Sequence, residues 1–117
     1  MAMTFHEIIG KLDEALIFVQ EETEETAERL FLEAYLTRKL MLFALHHGNP
    51  SKEDEAKIRD EYNKSYGAQR ALGETIQEFG LVDFAQHGVD NFDDYVDGVE
   101  YHSGAILKEV GINTDVI

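Results

Sequence analysis

The side chains crowded closely enough in this sequence to act together are carboxylates. Glu21-Glu22-Thr23-Glu24-Glu25, followed by Glu28, puts five glutamates into eight residues. On a helix, Glu21, Glu25 and Glu28 fall at i, i+4 and i+7 and share one face. Such a row can hold a hard divalent cation through oxygen ligands, or it can present an anionic surface to a cationic partner. A second group follows near the C-terminus. There Asp93, Asp97 and Glu100 share a face, and Asp94 and Asp97 lie one turn apart. Two such helices packed together could form a magnesium site in a bundle core.

Glu21-Glu22-x-x-Glu25 fits an E-E-x-x-E motif, and Asp94-x-x-Asp97 is similar to E-x-x-D with Asp in the first position. In these residues the chain resembles the all-α nucleotide pyrophosphohydrolases of the MazG type. Tyr101-His102-Ser103-Gly104 through Gly111-Ile112 also looks like that family's closing helix. The resemblance implies magnesium-dependent release of pyrophosphate from a nucleoside triphosphate, with Glu21, Glu22, Glu25, Asp94 and Asp97 as the metal ligands.

No other catalytic constellation is present. Without cysteine the chain has no disulfide, thiolate zinc site or cysteine nucleophile. It has no Ser-His-Asp spacing, glycine-rich phosphate loop or nucleophile elbow, so no catalytic residue is assigned outside the resemblance. His46-His47 suit a helix C-terminus. His102 lies beside an apolar stripe and reads as a core histidine, while His6 and His87 read as surface or loop residues. Tyr62, Tyr66, Tyr95 and Tyr101 read as helix-packing residues, or, if exposed, as anchors for a protein partner.

Charge limits the partners. The 117 residues carry 24 acids against 10 Lys and Arg, a formal net charge of −14. The bases are scattered, with Arg38-Lys39 the one adjacent pair, so neither a nucleic-acid backbone nor an anionic membrane surface is an expected partner. Residues 81–117 hold eight acids and one base, Lys108, which is half of the net charge. The expected partner is a protein with a basic surface, met by Glu21, Glu25, Glu28, Asp93, Asp94, Asp97 and Glu100. This describes a non-enzymatic regulator or inhibitor, in one version an imitator of nucleic-acid phosphates, with no cofactor; magnesium enters only with the pyrophosphohydrolase alternative. Met1 to Glu7 lacks the basic and apolar regions of a signal peptide, and no run reaches the roughly 18–20 apolar residues of a membrane span. The expected location is the cytoplasm.

All of these groups must be positioned by helices. No alternating strand pattern occurs, so residues 1–117 read as one all-α domain, a long-helix bundle. Thr4 with Glu7 opens a helix as a capping box. Apolar residues then keep one phase from Phe5 to Leu45, which predicts a single helix over about residues 4–47, on the order of 65 Å long. The alternative is a break near Glu22–Thr26, with Thr23 or Thr26 capping a second helix. His46-His47-Gly48-Asn49-Pro50 stops it. Ser51 opens a helix to Phe79, ended by Gly80, with Ile58, Tyr62, Tyr66, Leu72, Ile76 and Phe79 as its apolar stripe. A short turn over 81–88 and a helix over 91–110 from an Asn91 cap follow. Residues 30–45 are apolar on nearly every side and must be buried all round. With few helices to cover both this segment and the long N-terminal stripe, a homodimer or higher oligomer through helix 4–47 is expected.

Overall fold

The computed structural model describes residues 2–22 and 26–116, and among them every regular element is helical. Four α-helices run Phe5–Glu22 (α1), Ala27–His47 (α2), Lys52–Phe79 (α3) and Phe92–Glu109 (α4). Two short 3-10 turns lie at Phe84–His87 and Thr114–Val116. The all-α expectation therefore holds, as does each cap read from the sequence. Thr4, Ser51 and Asn91 accept from the amides of Glu7, Asp54 and Asp94 through their side-chain oxygens, each satisfying one of the free amides of a first turn. Gly80 closes α3 in the left-handed conformation at φ 59°. After α2 it is Asn49, at φ 48°, that turns left-handed, and Gly48 stays right-handed.

The single helix over 4–47 is not what forms. Thr26 has extended dihedrals (φ −133°, ψ 173°) and caps α2 by accepting from the Arg29 amide, so the alternative with a break and a Thr26 cap is correct. The physical reason is economy of burial. A straight helix of about 65 Å would overrun a molecule whose longest extent is 44 Å and leave the N-terminal stripe uncovered. Folding back buries Ile8, Leu12, Ala15 and Val19 against the same chain. Apolar phase is blind to this, since a break of a few residues can leave the two stripes in register. The Met3 amide donates to the Gly48 carbonyl at 2.7 Å, fixing the start of α1 beside the end of α2, so the two helices are antiparallel.

α2 is the central element, in contact with the other three helices. Its segment apolar on nearly all sides is buried along one broad face, with Phe31, Leu36, Leu40, Met41 and Ala44 at 2% exposure or less, but not all round as expected, since Leu42, Phe43 and Leu45 are half-buried. Phe31 stacks with Tyr95 and touches Phe92 near the N-termini of α2 and α4, and Lys39 reaches the Glu100 carbonyl farther along. α4 therefore runs in the same direction as α2. α3 packs closely on its other side. A Cβ on Gly73 would lie 3.2 Å from the Phe92 ring and 3.4 Å from Phe31, so this glycine permits the approach of α3.

Three stripe positions differ from expectation. Leu30, Tyr66 and Phe79 are 44%, 41% and 67% exposed; Leu30 lies in the first turn of α2 and Phe79 ends α3, whereas Tyr66, midway along α3, stacks on Tyr62 beneath the Arg38 guanidinium. The tail after α4 is tied back by Lys108 to Asp115 at 2.6 Å, and the lysine holds the Asp115 carboxyl below its ordinary value. No helix among the described residues is long and apolar enough to cross a membrane.

Candidate functional site

The two carboxylate rows do not meet as the sequence suggests. Glu21 is exposed in the last turn of α1. Glu22 ends that helix, its side chain undescribed, and Glu25 lies outside the described residues. Glu28 sits in the first turn of α2. On α4, Asp93, Asp94, Asp97 and Glu100 are all exposed, but they face different neighbours. Asp93 and Asp97 border a groove with Gly73 and Gln77 of α3, Asp94 faces the opposite side, and Glu100 lies 3.9 Å from Lys39. Among the described residues no group of three or more His, Asp or Glu converges so as to hold a metal ion.

The structure does bring Glu28 and Asp94 together. They line one cleft of about 540 Å³ between the N-terminal turn of α2, the Phe84–His87 turn and α4. That turn is built locally. Asp83 caps it by accepting from the Ala85 amide, and Gly88 closes it at φ 69°, a conformation open to glycine. His87 is thereby held with its Nε2 2.5 Å from Glu28 Oε1 and its ring edge-on to Tyr95, centroids 5.2 Å apart. Burial, together with the adjacent Glu28 carboxylate, pushes the Tyr95 hydroxyl up to about 12. The phenol therefore stays protonated at neutral pH and can only donate toward a carboxylate.

The rest of the cleft divides by chemistry. Leu32, Val89 and Val99 form its apolar surface, and Gly98 leaves one wall without a side chain. Arg29 is present, but its Nε lies 2.9 Å from Glu33, so its charge is already matched along the same helix. His102 also lines the cleft and is exposed, which corrects its reading as a core histidine. It lies one position short of buried Ser103 on α4, and that offset of about 100° turns it outward. His87, read as a surface or loop residue, is the partner of Glu28.

Elsewhere charges are matched locally. Along α3, Lys57, Arg59 and Lys64 pair with Glu53, Glu55 and Asp60 one turn away. Asp90, Asp93 and Asp97 have no ion-pair partner among the described residues. Comparison with protein-family models, with curated proteins and with solved structures finds no match to this chain.

Proposed function

We propose that this chain is a non-enzymatic acidic interaction protein of the cytoplasm, a regulator or inhibitor that covers a basic surface of a protein partner with the exposed carboxylates of residues 83–100. The observation that carries this reading is the unmatched charge of that region. Residues 81–100 contain six acids and no Lys or Arg, and Asp90, Asp93 and Asp97 are exposed and in no ion pair among the described residues, with Arg70 of α3 in the groove that Asp93 and Asp97 border. A surface of one sign speeds encounter with the opposite sign and selects against like-charged partners. Glu21 and Glu28 extend the same character around the α2 N-terminus, with Glu25 in the sequence between them. A partner that ordinarily binds nucleic acid would be blocked by imitation of phosphate charge. Homodimerisation, with the exposed Ile17 and Phe18 of α1 as its apolar contact, belongs to the same proposal, although the stripe behind them is already covered within the chain.

The test uses a defined probe, an arginine-rich peptide, titrated at about 50 and 500 mM salt. Exposed charges are screened within about 10 Å at 0.1 M, so affinity should fall steeply with salt. It should also fall with Asp93→Asn/Asp97→Asn and hardly at all with Glu53→Gln/Glu55→Gln on α3. Binding insensitive to salt, or equally sensitive to both pairs of substitutions, overturns the reading.

The pyrophosphohydrolase reading keeps one supporting observation. Thr26, next in sequence after Glu25, lines the same cleft as Asp94. Against it, Asp94 and Asp97 face different sides of α4, so the described carboxylates do not by themselves fit a magnesium ion. Release of pyrophosphate from a nucleoside triphosphate with magnesium, lost in Asp94→Asn, would establish it; absence of release across the common nucleotides would remove it.

A further inference from the structure

We propose that the cleft between α2, the Phe84–His87 turn and α4 binds a small organic cation, an ammonium or guanidinium group on a compact apolar or aromatic body. This does not depend on the acidic face holding a protein partner. The cleft's volume of about 540 Å³ lies in the range of small-molecule sites, which are mostly apolar with a few convergent polar groups. Here the apolar part is Leu32, Val89 and Val99, and the polar groups with charge to offer are Glu28 and Asp94.

The sign of the ligand follows from what is already paired. Arg29 is held by Glu33. The positive end of α2 is answered by the Thr26 cap and by Glu28 in its first turn, which leaves little to attract an anion. Glu28 is kept beside the cleft by His87, a contact that cancels its charge only when the imidazole is protonated, and the protonated Tyr95 hydroxyl cannot add negative charge there. The Glu28 side chain is 38% exposed and Asp94 is exposed, so solvent screens the attraction for a cation and the apolar wall must supply part of the affinity. An apolar body then gains by displacing water from Leu32, Val89 and Val99.

Gly98 gives the cleft its room. At Gly98, as at the helical Gly10 and Gly67, a Cβ would meet nothing within 4 Å, and at Gly98 that open space belongs to the cleft, so a larger side chain there would occupy it.

The experiment is an amide chemical-shift titration of the full chain with tryptamine and, as its neutral counterpart, tryptophol. A ligand of this size should bind with a dissociation constant on the order of millimolar. Tryptamine should give saturable shifts confined to the amides of Leu32, Val89, Gly98 and Val99, and tryptophol should bind at least tenfold more weakly. Gly98→Leu should fill the cleft and weaken tryptamine at least tenfold without lowering the melting temperature, and Glu28→Gln should weaken it similarly. Asp93→Asn, outside the cleft, should change nothing. Equal affinity for tryptophol, shifts spread along α3 and the outer face of α4, or full binding by Gly98→Leu would each overturn the proposal. Adding tryptamine to the arginine-peptide complex separates the two readings: a peptide still bound while the cleft is filled uses the acidic face alone.

Discussion

The two flanks of α4 are built on opposite principles. Toward α3, Phe92 and Phe31 close over Gly73 so tightly that a Cβ there would lie 3.2 and 3.4 Å from their rings, and the neighbouring α3 balances its own charge with pairs one turn apart. Toward the Phe84–His87 turn, the helix borders an open cleft with Glu28, Asp94 and His87 on its walls and an unfilled position at Gly98. One flank uses glycine to bring helices together, and the other uses it to leave space. The first flank is closed by packed rings beneath an exposed edge that carries Asp93 and Asp97, and the second is open around Glu28 and Asp94, so substitutions on the two sides should separate tight packing from open space.

The largest effect belongs to Phe31, which touches both flanks. Its ring meets Phe92, Tyr95 and Tyr35 and is 2% exposed. Phe31→Ala should destabilise by about 3–5 kcal/mol through lost burial and the cavity left behind, as read by denaturant unfolding. A loss below about 1 kcal/mol would mean that the aromatic cluster joining the flanks is not a core.

Next in size is an alkaline effect at the open flank. Tyr95 titrates near 12 in the folded chain against an ordinary value of 10, mainly because burial disfavours the phenolate. A group whose folded value is raised contributes stability that is complete below its unfolded value and is lost as pH rises through the folded one. Between pH 10 and 12 the folded state should therefore lose on the order of 2–3 kcal/mol from this residue. Tyr35, also raised by burial and by Glu100, and the paired Lys64 and Lys108 move in the same direction. The informative quantity is thus the difference between the native chain and Tyr95→Phe, whose stability should fall less steeply over that window. Identical slopes would show that Tyr95 is not held as the structure indicates.

What could be read from the sequence follows the same division. The caps at Thr4, Ser51 and Asn91 and the left-handed stop at Gly80 depend on side chains within three residues of the backbone they serve, and each was visible as a short pattern. So was the burial of most apolar residues over 31–44, which follows from composition around the helix, although Leu30 is exposed and Leu42 and Phe43 are half-buried. The break before Thr26 was visible only as an alternative, because the stripe from Phe5 to Leu45 keeps its phase across it. The cleft could not be read at all, since Glu28, His87, Asp94 and Gly98 come from three separate elements and meet only after the chain has folded. Even the residue types misled, since His102 differs by a single helical step from a buried position.

That hidden break offers a smaller test. Thr26→Ala removes the oxygen that accepts from the Arg29 amide and should cost about 1 kcal/mol. If α2 continued into α1 as one helix, alanine at this position would stabilise instead, because Ala is the better residue in a helix interior. The sign of the change in melting temperature distinguishes the two.

The smallest effect bears most directly on the contrast between the flanks. Glycine costs up to about 1 kcal/mol relative to alanine inside a helix, so Gly→Ala is favourable wherever the new methyl has space. At Gly98 nothing lies within 4 Å of the added atom, whereas at Gly73 it would press on the Phe92 and Phe31 rings at 3.2 and 3.4 Å. Gly98→Ala should therefore raise stability by about 0.5–1 kcal/mol, a gain of a few degrees for a domain of this size. Gly73→Ala should gain less or lose, because two packed rings must shift by a few tenths of an ångström to admit it. Equal gains at the two positions would mean that the α3 flank is as loose as the cleft. A loss at Gly98 would mean that the space beside it is already filled.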